Sequence, residues 1–80
     1  MMSIEIERKV AKQIEALHQP LKGRIKKGIL GLPNGDIVKL AGYTETYRLR
    51  VGDYRIIFEL LRNTIVIKAV LPRGSAYKAI

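Results

Sequence analysis

The chain has 80 residues, 48% of them hydrophobic, and a net charge of +8 from 15 Lys and Arg against 7 Asp and Glu; that allows one domain over residues 1–80, too apolar for a disordered tail and attractive to a polyanion. No Cys is present, which excludes disulfides, thiolate zinc sites and cysteine nucleophiles. No apolar run reaches the roughly 18 residues of a membrane span, and Glu5, Glu7, Arg8 and Lys9 stand where a signal peptide needs apolar residues, so a soluble, cytoplasmic protein is expected.

Ser3 to Glu7 reads as a short strand, with Ile4 and Ile6 alternating with polar neighbours. Val10, Ile14 and Leu17 then fall at helical spacing and predict a helix from Arg8 to His18. Pro20 ends it and suits the first turn of a second helix, Pro20 to Gly31, whose apolar stripe is Leu21, Ile25, Ile29 and Leu32. Pro33, Asn34 and Gly35 signal a turn.

From Val38 the period changes from helical to two. A short piece, Val38 to Leu40, leads through a loop at Gly42 to Glu45 into strands Tyr47 to Val51, Tyr54 to Leu61 and Thr64 to Leu71. The two-residue Gly52-Asp53 loop is a hairpin signal, with glycine supplying the positive φ. Pro72 closes the last strand, and a tail follows from Arg73 to Ile80. The expected fold is α+β: a short N-terminal strand, a helical hairpin, then an antiparallel β-meander with the helices packed on one face.

A two-residue loop sets the pairing. Val51 lies opposite Tyr54, Leu49 opposite Ile56 and Tyr47 opposite Phe58; the next turn pairs Leu60 with Ile65, Phe58 with Ile67 and Ile56 with Ala69. These side chains form one apolar face for the helices. On the other face Arg50 falls opposite Arg55, Arg48 opposite Ile57, and Ile57 opposite Lys68. Ile57, Val66 and Val70 are expected there too, so this face is expected to be partly covered. Opposed like charges destabilise a sheet by up to about 1 kcal/mol per pair. An anion between the guanidinium groups would relieve that cost, and arginine grips phosphate in a bidentate fork.

The stretch YRLRVGDYRIIFEL at 47–60, preceded by VKLAGY at 38–43, resembles the RelE branch of the RelE/ParE toxin superfamily. The tail VLPRGSAYK at 70–78 resembles that family's C-terminal segment, in which an Arg is followed four residues later by a Tyr. The resemblance implies a RelE-like fold and a toxin that enters the ribosome, cuts mRNA there, and is neutralised by a cognate antitoxin. It implies no metal and no cofactor, because the RNA 2′-hydroxyl attacks the adjacent phosphate. Arg48, Arg50, Arg55, Arg73 and Tyr77 match the family's catalytic positions, and Lys39, Lys68 and Lys78 are candidate RNA contacts. Two readings stay beside it: a ParE-like inhibitor of DNA gyrase that cuts nothing, and a binding homologue without activity.

The family prototype has Lys at the two strand positions where this chain has Arg48 and Arg50. Arginine is a poor general base. Tyr77 ranks first among weak candidates, since neighbouring guanidinium charge lowers a phenol's pKa, and Glu59 ranks second. His18, the single histidine, fits a helix-end role, and the glycines at 23, 28 and 31 lack the spacing of a phosphate loop.

Overall fold

The computed structural model describes residues 3–72. In chain order they form β1 (Ser3–Ile6), α1 (Arg8–Glu15), α2 (Leu21–Leu30), β2 (Asp36–Lys39), β3 (Thr46–Val51), β4 (Tyr54–Leu61) and β5 (Thr64–Pro72). The five strands make one sheet in the order β1-β5-β4-β3-β2. β2 through β5 is an antiparallel meander. β1 pairs parallel with β5, from Ser3 opposite Thr64 to Ile6 opposite Ile67. The expected meander is therefore the centre of a larger mixed sheet, closed on one side by the N-terminal strand.

The helices form because each carries one apolar stripe. Val10 and Ile14 of α1 and Ile25 and Ile29 of α2 are buried against Leu49, Ile56, Phe58, Ile65, Ile67 and Val70 of the sheet. Tyr47 stacks on Phe58 within this face, ring centroids 5.6 Å apart, in the favourable range for an aromatic pair. A Cβ on Gly28 would lie 2.8 Å from Val51 Cγ2, so the helix approaches β3 at a distance only glycine permits. Both helices are shorter than their apolar stripes suggested, ending at Glu15 and Leu30.

The β3–β4 register agrees with expectation at the five expected pairs, including Arg50 opposite Arg55 and Arg48 opposite Ile57, and extends beyond them to Thr46 opposite Glu59. The β4–β5 register does not. Leu60 pairs with Ile65 and Phe58 with Ile67, but a bulge then intervenes, and Ile57 meets Ala69 while Ile56 meets Val70. Three expectations are corrected: Lys68 is not opposite Ile57, Ala69 is not opposite Ile56, and Val70 belongs to the helix-facing core. The bulge has a physical rationale. It lets Ile65, Ile67 and Val70 all point at the helices, whereas strict alternation would have sent Val70 to the opposite face.

The end of β1 explains where Lys68 goes. Glu7 leaves the strand as the residue before α1, and its carboxylate accepts a 2.6 Å hydrogen bond from Lys68 Nζ instead of capping the helix. Farther on, where β5 has no neighbour on that side, Gln13 Nε2 of α1 donates to the Val70 carbonyl at 2.6 Å. α1 thus takes over edge bonding where β1 stops. No helix among the described residues is long and apolar enough to cross a membrane.

Candidate nucleic-acid interface

The sheet face opposite the helices carries the arginines. By register it presents Asp36 and Val38 from β2, Thr46, Arg48 and Arg50 from β3, and Arg55, Ile57 and Glu59 from β4. The two-residue turn at Gly52-Asp53, with Gly52 at φ +56°, determines this. It puts odd-numbered β3 residues on the helix side and leaves Arg48 and Arg50 on the other, while Arg55 arrives beside Arg50 on the return strand.

The face is not uniformly wet. Ile57 is 0% exposed although it lies outside the helix-facing core, and Thr46 is 4% exposed. Arg48 and Arg55 are half-buried, whereas Arg50 is exposed. Long guanidinium stems lie well against apolar neighbours while keeping their heads polar. Arg55 departs from that habit: its Nη1 is buried and has no hydrogen-bond partner among the described residues. Among the described residues every ion pair uses a lysine, Lys22 and Lys26 with Glu15 and Lys68 with Glu7. Arg48, Arg50 and Arg55 are in none of them. Even Asp36, the Cα partner of Arg50, makes no ion pair with it.

Of the residues expected at the site, the sheet brings together Arg48, Arg50 and Arg55. Lys68 lies in the bulge between Ile67 and Ala69, where Glu7 engages it and the charge of Glu59, a residue of the arginine face, also acts on it. The Lys68–Glu7 pair holds the Glu7 carboxyl below its ordinary range, chiefly through the hydrogen bond from Lys68, and holds the Lys68 ammonium above its own through the same bond. Lys39 is the partner of Tyr47, whose ring packs on the core; it therefore belongs to the helix side at the free sheet edge, apart from the arginines. Arg73, Tyr77 and Lys78 lie outside the described residues. Pro72, the last described residue, pairs with Tyr54, next to Arg55.

Two residues of this face escaped sequence reading. Asp36 was missed because the loop between β2 and β3 is too long to dictate register. Thr46 falls between the expected loop, Gly42 to Glu45, and the expected strand from Tyr47, yet it pairs with Glu59. No group of three or more His, Cys, Asp or Glu side chains among the described residues could hold a metal ion.

Residues 4–77 match the family described as the ParE toxin of type II toxin–antitoxin systems, parDE. The chain belongs to the ParE toxin family. A curated relative of this ParE-family chain is Toxin RelE3 of Methanocaldococcus jannaschii, 50% identical over 42 residues; the match spans 52% of the chain and 48% of the relative. The chain thus matches about half the length of that protein.

Solved structures resemble the family member over nearly its whole length. A chain of the RelB–RelE antitoxin–toxin complex from Methanococcus jannaschii superposes with a TM-score of 0.75 at 32% identity, covering 94% of this chain and 96% of that one. A chain of the archaeal RelE–RelB complex from Pyrococcus horikoshii OT3 gives 0.73 at 27% identity, with 94% and 98% covered. The isolated Escherichia coli RelE toxin gives 0.74 at 15% identity, with 96% and 89% covered. That last likeness concerns the fold alone.

Proposed function

We propose that this ParE-family toxin is a ribosome-dependent mRNA endonuclease of the RelE kind, which binds the scissile phosphate on its arginine face. The observation that carries the reading is Arg55: a half-buried guanidinium with one nitrogen desolvated and unpartnered, set directly opposite a second arginine. Such a group costs about 1–3 kcal/mol when left unsatisfied. Its cost is offset when a phosphate oxygen accepts the free N–H.

The chemistry needs only the RNA and these side chains. The 2′-hydroxyl gives up its proton as its oxygen forms a bond to the adjacent phosphorus, the bond from phosphorus to the 5′-oxygen breaks, and the leaving oxygen takes up a proton, so that a 2′,3′-cyclic phosphate and a 5′-hydroxyl result. Negative charge grows on the non-bridging oxygens during the attack. Arg48, Arg50 and Arg55, joined by Arg73 from the tail, neutralise that charge and hold the groups in line. Tyr77 stacks on a base or takes part in proton transfer. Glu59, on the same face, is the second candidate for the proton. The neutralising partner is a cognate antitoxin, a role supported by the RelB-bound relatives.

A second reading, inhibition of DNA gyrase without nuclease activity, is favoured by the ParE description of the matching family. One induction experiment separates them. The chain is expressed alone in bacteria, and growth, mRNA cleavage mapped on ribosomes and plasmid supercoiling are followed. The expected result is growth arrest with A-site mRNA cuts and unchanged supercoiling. Gyrase-dependent DNA breaks with intact mRNA overturn the proposal in favour of the second reading, and absence of any growth effect overturns both.

A further inference from the structure

We infer that Arg24, on α2, is an additional RNA-backbone contact that takes a phosphate neighbouring the one gripped by Arg48, Arg50 and Arg55. This role presupposes that RNA is the ligand of the arginine face. Arg24 points at the tip of the β3–β4 hairpin. Its Nη2 lies 3.1 Å from where a Cβ on Gly52 would stand, with Cζ at 3.6 Å and Nη1 at 3.9 Å. The guanidinium therefore rests against the turn backbone, in space that exists because residue 52 is glycine.

Its helix neighbours aim the same way. Gly28, four residues on and so on the same side of α2, meets Val51, and Arg24 meets the next residue of the hairpin. Yet no acid holds Arg24 there. Lys22 and Lys26 on the same helix pair with Glu15, while Arg24 forms no ion pair among the described residues, although Asp53 adjoins Gly52. Packing against the turn, not charge pairing, keeps this cation at the loop that joins Val51 to Tyr54. The next pair along the strands is Arg50 and Arg55.

The opposite end of the sheet face supplies the direction. Glu59 lies there, opposite Thr46 and Val66. Glu5 is also opposite Val66, and Glu5 and Glu45 line one shallow depression together. Arg62 lines that depression too, and Asp36 and Asp53 lie near the hairpin. The far end thus sets Glu5, Glu45 and Glu59 against Arg62, while the hairpin end sets Arg24, Arg50 and Arg55 against Asp36 and Asp53, a balance that draws a polyanion toward the tip. A backbone crossing Arg48, Arg50 and Arg55 consequently leaves the sheet around the tip at Gly52, which Arg24 reaches from the helix side.

The test measures binding of the purified protein to a short single-stranded RNA oligonucleotide at several salt concentrations. It compares the wild type with Arg24→Ala, Arg55→Ala and Lys12→Ala, the last an exposed cation of α1 that serves as the net-charge control. Thermal unfolding verifies that each variant is folded. Loss of one phosphate contact lowers the log–log salt slope by about 0.7 for single strands. Arg24→Ala is expected to show that drop and a several-fold weaker affinity, with Lys12→Ala at the wild-type slope. If Arg55→Ala weakens binding while Arg24→Ala matches the wild type, Arg24 has no such role and the arginine face keeps its own. An equal drop for Lys12→Ala also refutes the role, since net charge then suffices. If Arg55→Ala too binds as the wild type does, RNA recognition by this face is wrong, and the role of Arg24 falls with it.

Discussion

Replacing Arg55 by Met removes the guanidinium and keeps an unbranched apolar stem. Two unfavourable features disappear with it. The buried Nη1 has no partner, an omission that costs about 1–3 kcal/mol. Arg55 also faces Arg50 directly across the β3–β4 ladder, a like-charge opposition worth up to about 1 kcal/mol. Against these stands the hydration of the rest of the head group, which is only half-buried. The net expectation is a gain in unfolding free energy of about 1–2 kcal/mol. For a domain this small each kcal/mol moves the melting temperature by about 4–8 °C, and at a slope of about 1 kcal/mol/M the urea midpoint rises by about 1–2 M. Urea and thermal unfolding of the two proteins measure it, with mRNA cleavage on ribosomes as the companion assay. The expected outcome is a more stable protein that no longer cuts. A loss of stability of about 1 kcal/mol or more would mean that the guanidinium is well satisfied in the free protein, and the reasoning that makes it a waiting phosphate site would collapse.

Gly35 has φ +128° and stands where a Cβ would come within 2.7 Å of Leu49 Cδ1, a buried core atom; Gly35→Ala is expected to cost at least about 1–3 kcal/mol, from backbone strain together with that clash, read from the denaturant midpoint. The Lys68–Glu7 pair gives a pH dependence with a definite sign. Because the folded-state Glu7 carboxyl is lowered, its contribution is present above the ordinary carboxylate range and is lost as pH falls through the lowered value. Because the Lys68 ammonium is raised, its contribution is present below the ordinary lysine range and is lost as pH rises through the raised value. Denaturation at a series of pH values is expected to show a flatter acid limb for Glu7→Gln than for the wild type, and coincident acid limbs would show that the pair is not coupled to folding.

The arginine cluster illustrates how far sequence alone reaches. Arg48, Arg50 and Arg55 share a face because a two-residue turn leaves one way to align two alternating strands, and all the information for that alignment lies within fifteen residues. The helices were legible for a similar reason: Val10, Ile14, Ile25 and Ile29 recur at the helical period, and burial of one stripe suffices to place them on the sheet. The family-like tail motif, with Arg73 and Tyr77, remains an expectation, since those positions lie outside the described residues.

Local period and turn chemistry, which depend only on near neighbours, determined the element order, the β3–β4 register and the face that carries the arginines. Tertiary structure alone decided the parallel docking of β1 on β5, the bulge that diverts Lys68 to Glu7 and turns Val70 inward, the placement of Asp36 opposite Arg50, and the approach of Arg24 to Gly52. Each of those depends on fitting segments distant in sequence around one core, where the side chain that fills a space is chosen by its neighbours in three dimensions rather than by its neighbours in the chain.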